Sequence, residues 1–334
     1  MAKLRLSRLF ALPLVLVAVS ASAGEMDVRK TIHNQVEALV QQGDFDGLNA
    51  MEKEYRTTRA RTPNGSWKLQ EFYLSLNDAL PRPDERNQDD CIFHAREFVD
   101  SWSKATPQSP APHIVEAQML VQQAWCFRGD GYASDVTDAG WAAFHKSIAA
   151  ADALLSEHRV EASVDPEYYV TMENIYRSEG RERDDFRKLL DEATSKEPNY
   201  YGIYWAAYPY YEPQWFGSPA DIDAMARYAI ERTRSKDGLG AYARLFMYEM
   251  SDDCTCWRDA IDWQTMKQAM HDVATRYPEP WNFANFAKLS CVMEDKDTAR
   301  EYFAALKEDD GSAAWPADKE GWKTCRTLAG FKPE

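Results

Sequence analysis

The chain has 334 residues, with 54 acidic side chains against 39 basic ones and a formal charge of −15. A surface this acidic argues against a nucleic acid or an anionic lipid face as partner, since both require a basic patch. With 45% hydrophobic residues the chain can bury a sizeable core, in two domains or in one elongated one.

The first element is a leader. Lys3, Arg5 and Arg8 form a positive start, Leu9 to Val19 a short apolar run, and Ala21-Ser22-Ala23 a small-residue cleavage site. Residues 1–23 are therefore expected to be a signal peptide, and residues 24–334 one mature domain that is periplasmic or secreted. The alternative is an uncleaved N-terminal anchor. The apolar run is short for a membrane span, and no later stretch is long and apolar enough for one. Loss of the three basic leader residues would carry the formal charge from −15 to −18.

From Val28 the apolar residues recur at helical spacing. Ile32, Val36, Leu39 and Val40 form one stripe, Gly43-Asp44 a turn, and Phe45, Leu48, Met51 and Tyr55 the next stripe. Asn64-Gly65 falls in a connection between helices, and no period-two strand pattern stands out. Cys91 is expected to open a helix that Cys126 faces from the end of the next. Trp141, Phe144, Ile148 and Leu155 mark a helix after an inserted loop, with Thr137 or Asp135 as its N-cap. Asp165-Pro166 and Glu197-Pro198 then open units close to the 34-residue period of tetratricopeptide repeats, with Gly180 at the turn between two helices. A second insertion follows Tyr211 and ends at Ser218-Pro219, read as N-cap and first helical position. Pro278 to Leu306 reads as a further pair, turning at Glu294-Asp295. The expected fold class is all-α: an α-solenoid of tetratricopeptide-like antiparallel pairs with a C-terminal capping helix, because one pair cannot bury its apolar face alone.

Four stretches, Gly65–Tyr73, Ala124–Phe144, Glu197–Pro219 and Asn282–Glu301, together resemble a bacterial family known only as a domain of unknown function, the DUF4034 type, related to tetratricopeptide proteins. The resemblance extends over nearly the whole mature chain. It implies a helical-repeat fold, and it supplies no activity and no catalytic residue.

Candidate chemistry is sparse. Nine of the twenty residues from Tyr200 to Pro219 are aromatic. Tyr200, Tyr204 and Tyr208 form one helical stripe and Tyr201 with Trp205 a second, which suits a core or its boundary with water. Tyr201, Trp205, Trp215 and Phe216 are the ligand-binding candidates, the last two being better placed because they lie in the loop. Six cysteines in an exported chain point to disulfides. Cys91–Cys126 and Cys291–Cys325 each fit an antiparallel helix contact, while Cys254 and Cys256 remain unassigned among a local disulfide, other partners and half a metal site. No catalytic motif is found. His94 with Glu97 and His113 with Glu116 read as helix neighbours, and Asp130, Asp135 and Asp138 as caps and solvated carboxylates. No cofactor or metal is expected. These readings favour an interaction protein that binds a protein or peptide in a groove lined by the first helix of each pair. The alternatives are a glycan- or peptidoglycan-binding module using the 200–216 aromatics, and an enzyme without a recognisable motif.

Overall fold

A computed structural model describes residues 24–81, 91, 94–249, 256–306, 315 and 319–332. The expected leader and Cys254 lie outside the described residues, as does the side chain of Cys256. Among the described residues there is no strand beyond one isolated antiparallel bridge, Arg61 with Trp67. The protein is an all-α helical-repeat chain.

Helices α1 (Glu25–Gln42) and α2 (Phe45–Thr58) form the first pair. Gly43 closes α1 in the left-handed region at φ 63°, and the Asp44 carboxylate accepts from the Gly47 amide at 2.9 Å to start α2. Ile32, Val36, Leu48 and Tyr55 are buried, as the stripes require. The connection 59–67 leads into α3 (Lys68–Ala79), which packs against α1.

Helix α4 (Arg96–Ala105) pairs with α5 (Pro110–Arg128), which packs on α6 (Asp138–Glu157); a single turn, α7 (Arg159–Ala162), follows. Cys91 does not open α4, which begins five residues later. It is nevertheless disulfide-bonded to Cys126 in the last turn of α5, with the Cα atoms 5.7 Å apart. Gln123 donates to the Cys91 carbonyl at 2.7 Å, so the segment ahead of α4 is tied to α5 by side chains instead of by helix packing. Of the two N-cap candidates for α6, Thr137 does the work: its hydroxyl accepts from the Gly140 amide at 3.0 Å. Thr137→Ala should cost about 1 kcal/mol of stability, read as a lower urea midpoint at unchanged m-value.

The remaining units are α8 (Pro166–Glu179) with α9 (Arg183–Lys196), α10 (Tyr201–Ala207), whose following turn packs on α11 (Pro219–Asp237), α12 (Gly240–Glu249) with α14 (Trp263–Arg276), and α15 (Pro280–Val292) with α16 (Lys296–Leu306). A short 3-10 turn, 208–211, extends α10, the five-residue α13 (Cys256–Ala260) precedes α14, and α17 (Lys319–Leu328) packs on the last pair. Gly180 ends α8 at φ 67°, Glu294 turns between α15 and α16 at φ 59°, and Ser218 caps α11 ahead of Pro219. Pairs open about 35–40 residues apart, a helical-repeat spacing. Their first helices form a row, α8 against α10, α10 against α12 and α12 against α15. Cys291 of α15 is disulfide-bonded to Cys325 of α17, Cα atoms again 5.7 Å apart.

The row of first helices is not an open groove. The α1–α3 unit folds back onto it. The Glu25 amide donates to the Glu279 carboxylate at 2.8 Å, and the Asn64 carbonyl in the 59–67 connection accepts from Arg244 of α12 at 2.7 Å and Asn282 of α15 at 3.1 Å. Trp67 meets Tyr200 edge-on at 5.3 Å. The acceptor that loop offers, and the buried ring beside it, give the N-terminal unit a reason to dock there.

Candidate functional site

The aromatic stretch is largely interior. Tyr200, Tyr204 and Tyr208 are fully buried. Tyr201 is 2% exposed, and its hydroxyl donates to Asp237 at 2.6 Å. Asp237 also accepts from Tyr277 at 3.2 Å and lies 3.6 Å from Arg61, while Arg244 sits 5.0 Å from the Tyr201 ring centre and 5.1 Å from that of Tyr277. Tyr201 thus belongs to a buried polar knot that joins the 59–67 connection to α10, α11 and α14. Desolvation pushes its phenol well above the usual range, with the neighbouring Asp237 adding to the shift and the arginines opposing it.

Trp205 faces the other way. It is partly exposed, and its indole N–H donates to the Arg244 carbonyl at 3.1 Å. On either side of Trp205 and Leu74 lie two adjoining hollows between α3 and the row of first helices, of about 250 and 230 Å³. Leu74 is 48% exposed, unusual for a leucine facing a wall of helices. Side-chain amides dominate the polar lining: Asn64, Gln70, Asn282 and Asn285 in one hollow, Asn77 and Asn174 in the other. Asn282 spends both donors on the carbonyls of Asn64 and Tyr277, and its buried carbonyl oxygen has no partner among the described residues. Arg29 lies 5.0 Å over the Trp281 ring at one end and Arg177 lines the other. Glu167 stands in the second hollow, accepting from Tyr200 at 2.5 Å and Gln118 at 2.9 Å. Desolvation raises its carboxyl to about 7 against the pull of these two bonds.

Trp215 and Phe216 lie elsewhere. The two inserted loops, 129–137 and 212–218, meet over the ends of α5 and α8. Trp215 packs against Trp125 of α5 at 5.9 Å and 83°, while Phe144 of α6 meets Trp125 at 5.2 Å and Trp141 at 5.6 Å. Phe216 is 40% exposed and leans on Tyr210 at 4.8 Å, outside the cleft that Trp215 lines. The structure therefore separates the four ring candidates: one in the core, one in the amide-lined cleft, one in an aromatic cleft and one on the surface. Asn77, Asn174 and Asn285 escaped the sequence reading. Asn77 sits on α3, and Asn174 and Asn285 on the first helices α8 and α15 that face it, a signal that only a known fold-back of α1–α3 would have exposed.

His113 and Glu116 take separate partners. His113 is buried and stacked on His158 with ring centres 3.8 Å apart, and desolvation holds its imidazole below the ordinary value. Glu116 faces Arg96 at 3.9 Å. Among the described residues no group of three His, Cys, Asp or Glu side chains is placed to hold a metal ion, and no helix is long and apolar enough to cross a membrane.

The fold defines a helical-repeat protein with two adjoining hollows on the inner side of its first helices. Residues 33–164 match the family model described as a domain of unknown function, DUF4034. The span runs from within α1 past α7. It contains two of the four stretches that carried the resemblance, and the row α8 to α15 lies beyond it. No curated protein and no solved structure matches the chain.

Proposed function

We propose that this is an exported binding protein, periplasmic or secreted, which holds a short extended segment of a partner protein in the amide-lined cleft. The observation that carries the reading is the lining itself. Asn282, Asn285 and Asn174 spend donors inside the protein, which leaves the buried Asn282 carbonyl oxygen to accept a backbone N–H of an extended segment. Leu74 and Trp205 between them supply an apolar seat for one side chain. Two disulfides support an oxidising compartment, where such pairs persist.

Screening the purified protein against an array of random heptapeptides tests it. Selected peptides should bind the native protein, and Leu74→Asp or Trp205→Ala should weaken them at least about tenfold, roughly 1.4 kcal/mol, with the far-ultraviolet spectrum unchanged. An array with no binder, or binders indifferent to both substitutions, would refute the cleft as the site.

A further inference from the structure

The aromatic cleft between the inserted loops is unused by this reading. We propose that it is a saccharide site, for one or two neutral pyranose rings. Its volume is about 760 Å³, three times that of either amide-lined hollow and within the usual range for small-molecule sites.

The ring geometry selects the ligand class. Trp125 and Trp215 meet at 83°, Trp125 and Phe144 at 80°, Trp141 and Phe144 at 88°. Each of these contacts is edge-to-face, so the cleft presents ring faces and ring edges in more than one direction. Walls at right angles suit a thick ring with an apolar C–H face and a polar rim, and a pyranose is such a ring. The rim has matching partners: Arg128, Asp130, Ser178 and Gln214 line the cleft, with Tyr132 standing 82% exposed at its mouth. Arg128 and Asp130 cancel in charge, so the lining favours an uncharged ligand.

The site is also built in advance. Arg128 donates to the carbonyls of Gly129 and Gly131 at 2.9 and 2.7 Å while lying 5.6 Å over Trp125, which pins the first loop to the ring. In the second loop the amides of Trp215 and Gly217 donate to the Glu212 carbonyl, and Arg183 donates to the Phe216 carbonyl at 2.7 Å. The Arg177 guanidinium sits 5.2 Å from the Trp215 ring. Preset walls lower the ordering cost of binding.

A panel of neutral di- and tetrasaccharides of glucose and N-acetylglucosamine, titrated to millimolar concentration with tryptophan fluorescence and saturation-transfer NMR as readouts, tests the site. At least one member should saturate. Trp215→Ala should weaken it tenfold or more and Tyr132→Ala, at an exposed position that cannot unfold the chain, several-fold. Leu74→Asp should leave sugar binding intact, so failure of the peptide reading and failure of this one are distinguishable. No saturation by any sugar, or saturation that survives both aromatic substitutions, overturns the proposal.

Discussion

Removing the Cys91–Cys126 bridge as C91A/C126A should lower the free energy of unfolding by about 3–4 kcal/mol, the chain-entropy value for a loop of this size. The sequence separation is 35 residues, and the enclosed segment contains α4 and most of α5. The bridge does more than shorten an unfolded loop. Cys91 precedes α4 by several residues, and the disulfide together with the Gln123 bond to its carbonyl ties it to α5. α4 should stay seated without the bridge, because Val99 and Trp102 are buried and the Trp102 indole N–H donates to Asn49 of α2 at 3.0 Å. The expected result is therefore a less stable but folded protein: a lower denaturant midpoint with helical content nearly intact. A midpoint unchanged within error in the double variant, with the native bridge confirmed by non-reducing peptide mapping, would show that the loop is already restrained in the unfolded chain.

The helical part of this fold is legible because its signals are local. Gly43, Gly180, Thr137 and Ser218 each act within four residues of their own position, and the stripes from Ile32 to Tyr55 report burial directly. Cys91 was misplaced as a helix opener because a buried cysteine beside apolar neighbours mimics the first turn of a helix. The fold-back of α1–α3 was invisible for a different reason. It depends on the Asn64 carbonyl meeting Arg244 and Asn282, partners 180 and 218 residues away, and a backbone acceptor leaves no mark in a sequence. The same contact explains the division of the rings. Tyr201 reads as amphipathic, yet the Asp237 carboxylate and two arginines supply the polar partners that solvent or a ligand would otherwise provide. Trp215 was legible as a loop aromatic. Its neighbours Trp125 and Trp141 were not, since nothing local says that two insertions about 80 residues apart share one cleft.

Stability should fall as pH rises from about 5 to 8, against the common expectation for an acidic protein. The cause is a set of carboxyls whose hold on a proton is strengthened by burial. Glu167 is raised to about 7 by desolvation. Desolvation also raises Asp165 and Glu173, both fully buried, and Glu71. Glu173 has no hydrogen-bond partner for either oxygen among the described residues, so its charged form has nothing to offset the loss of water. A carboxyl raised in the folded state binds a proton that the unfolded chain releases, so its contribution is fully present below pH 4.5 and is lost as pH climbs through the folded value. For Glu167 the shift from 4.5 to about 7 amounts to ~3 kcal/mol at 1.36 kcal/mol per unit. Surface carboxylates work in the opposite sense but in another window. At Asp295 burial raises the carboxyl, yet bonds from the Thr298 amide and the Trp263 indole outweigh it and hold the group at about 2, so its contribution changes below pH 4. Glu167→Gln isolates the effect, because an amide keeps the shape and carries no proton to lose. Urea unfolding at pH 5 and pH 8 should show the native protein losing stability between the two and the variant losing distinctly less. An equal loss in both would place the responsible group elsewhere. The cleft follows the same titration, since Glu167 lines the hollow that Arg177 also lines. Ionised, Glu167 gives that end a negative charge beside a guanidinium; protonated, it leaves the arginine to attract an acidic side chain. Peptides selected at pH 5.5 should therefore be richer in Asp and Glu toward that end than peptides selected at pH 8, and identical selections at the two values would separate the stability role of Glu167 from any role in recognition.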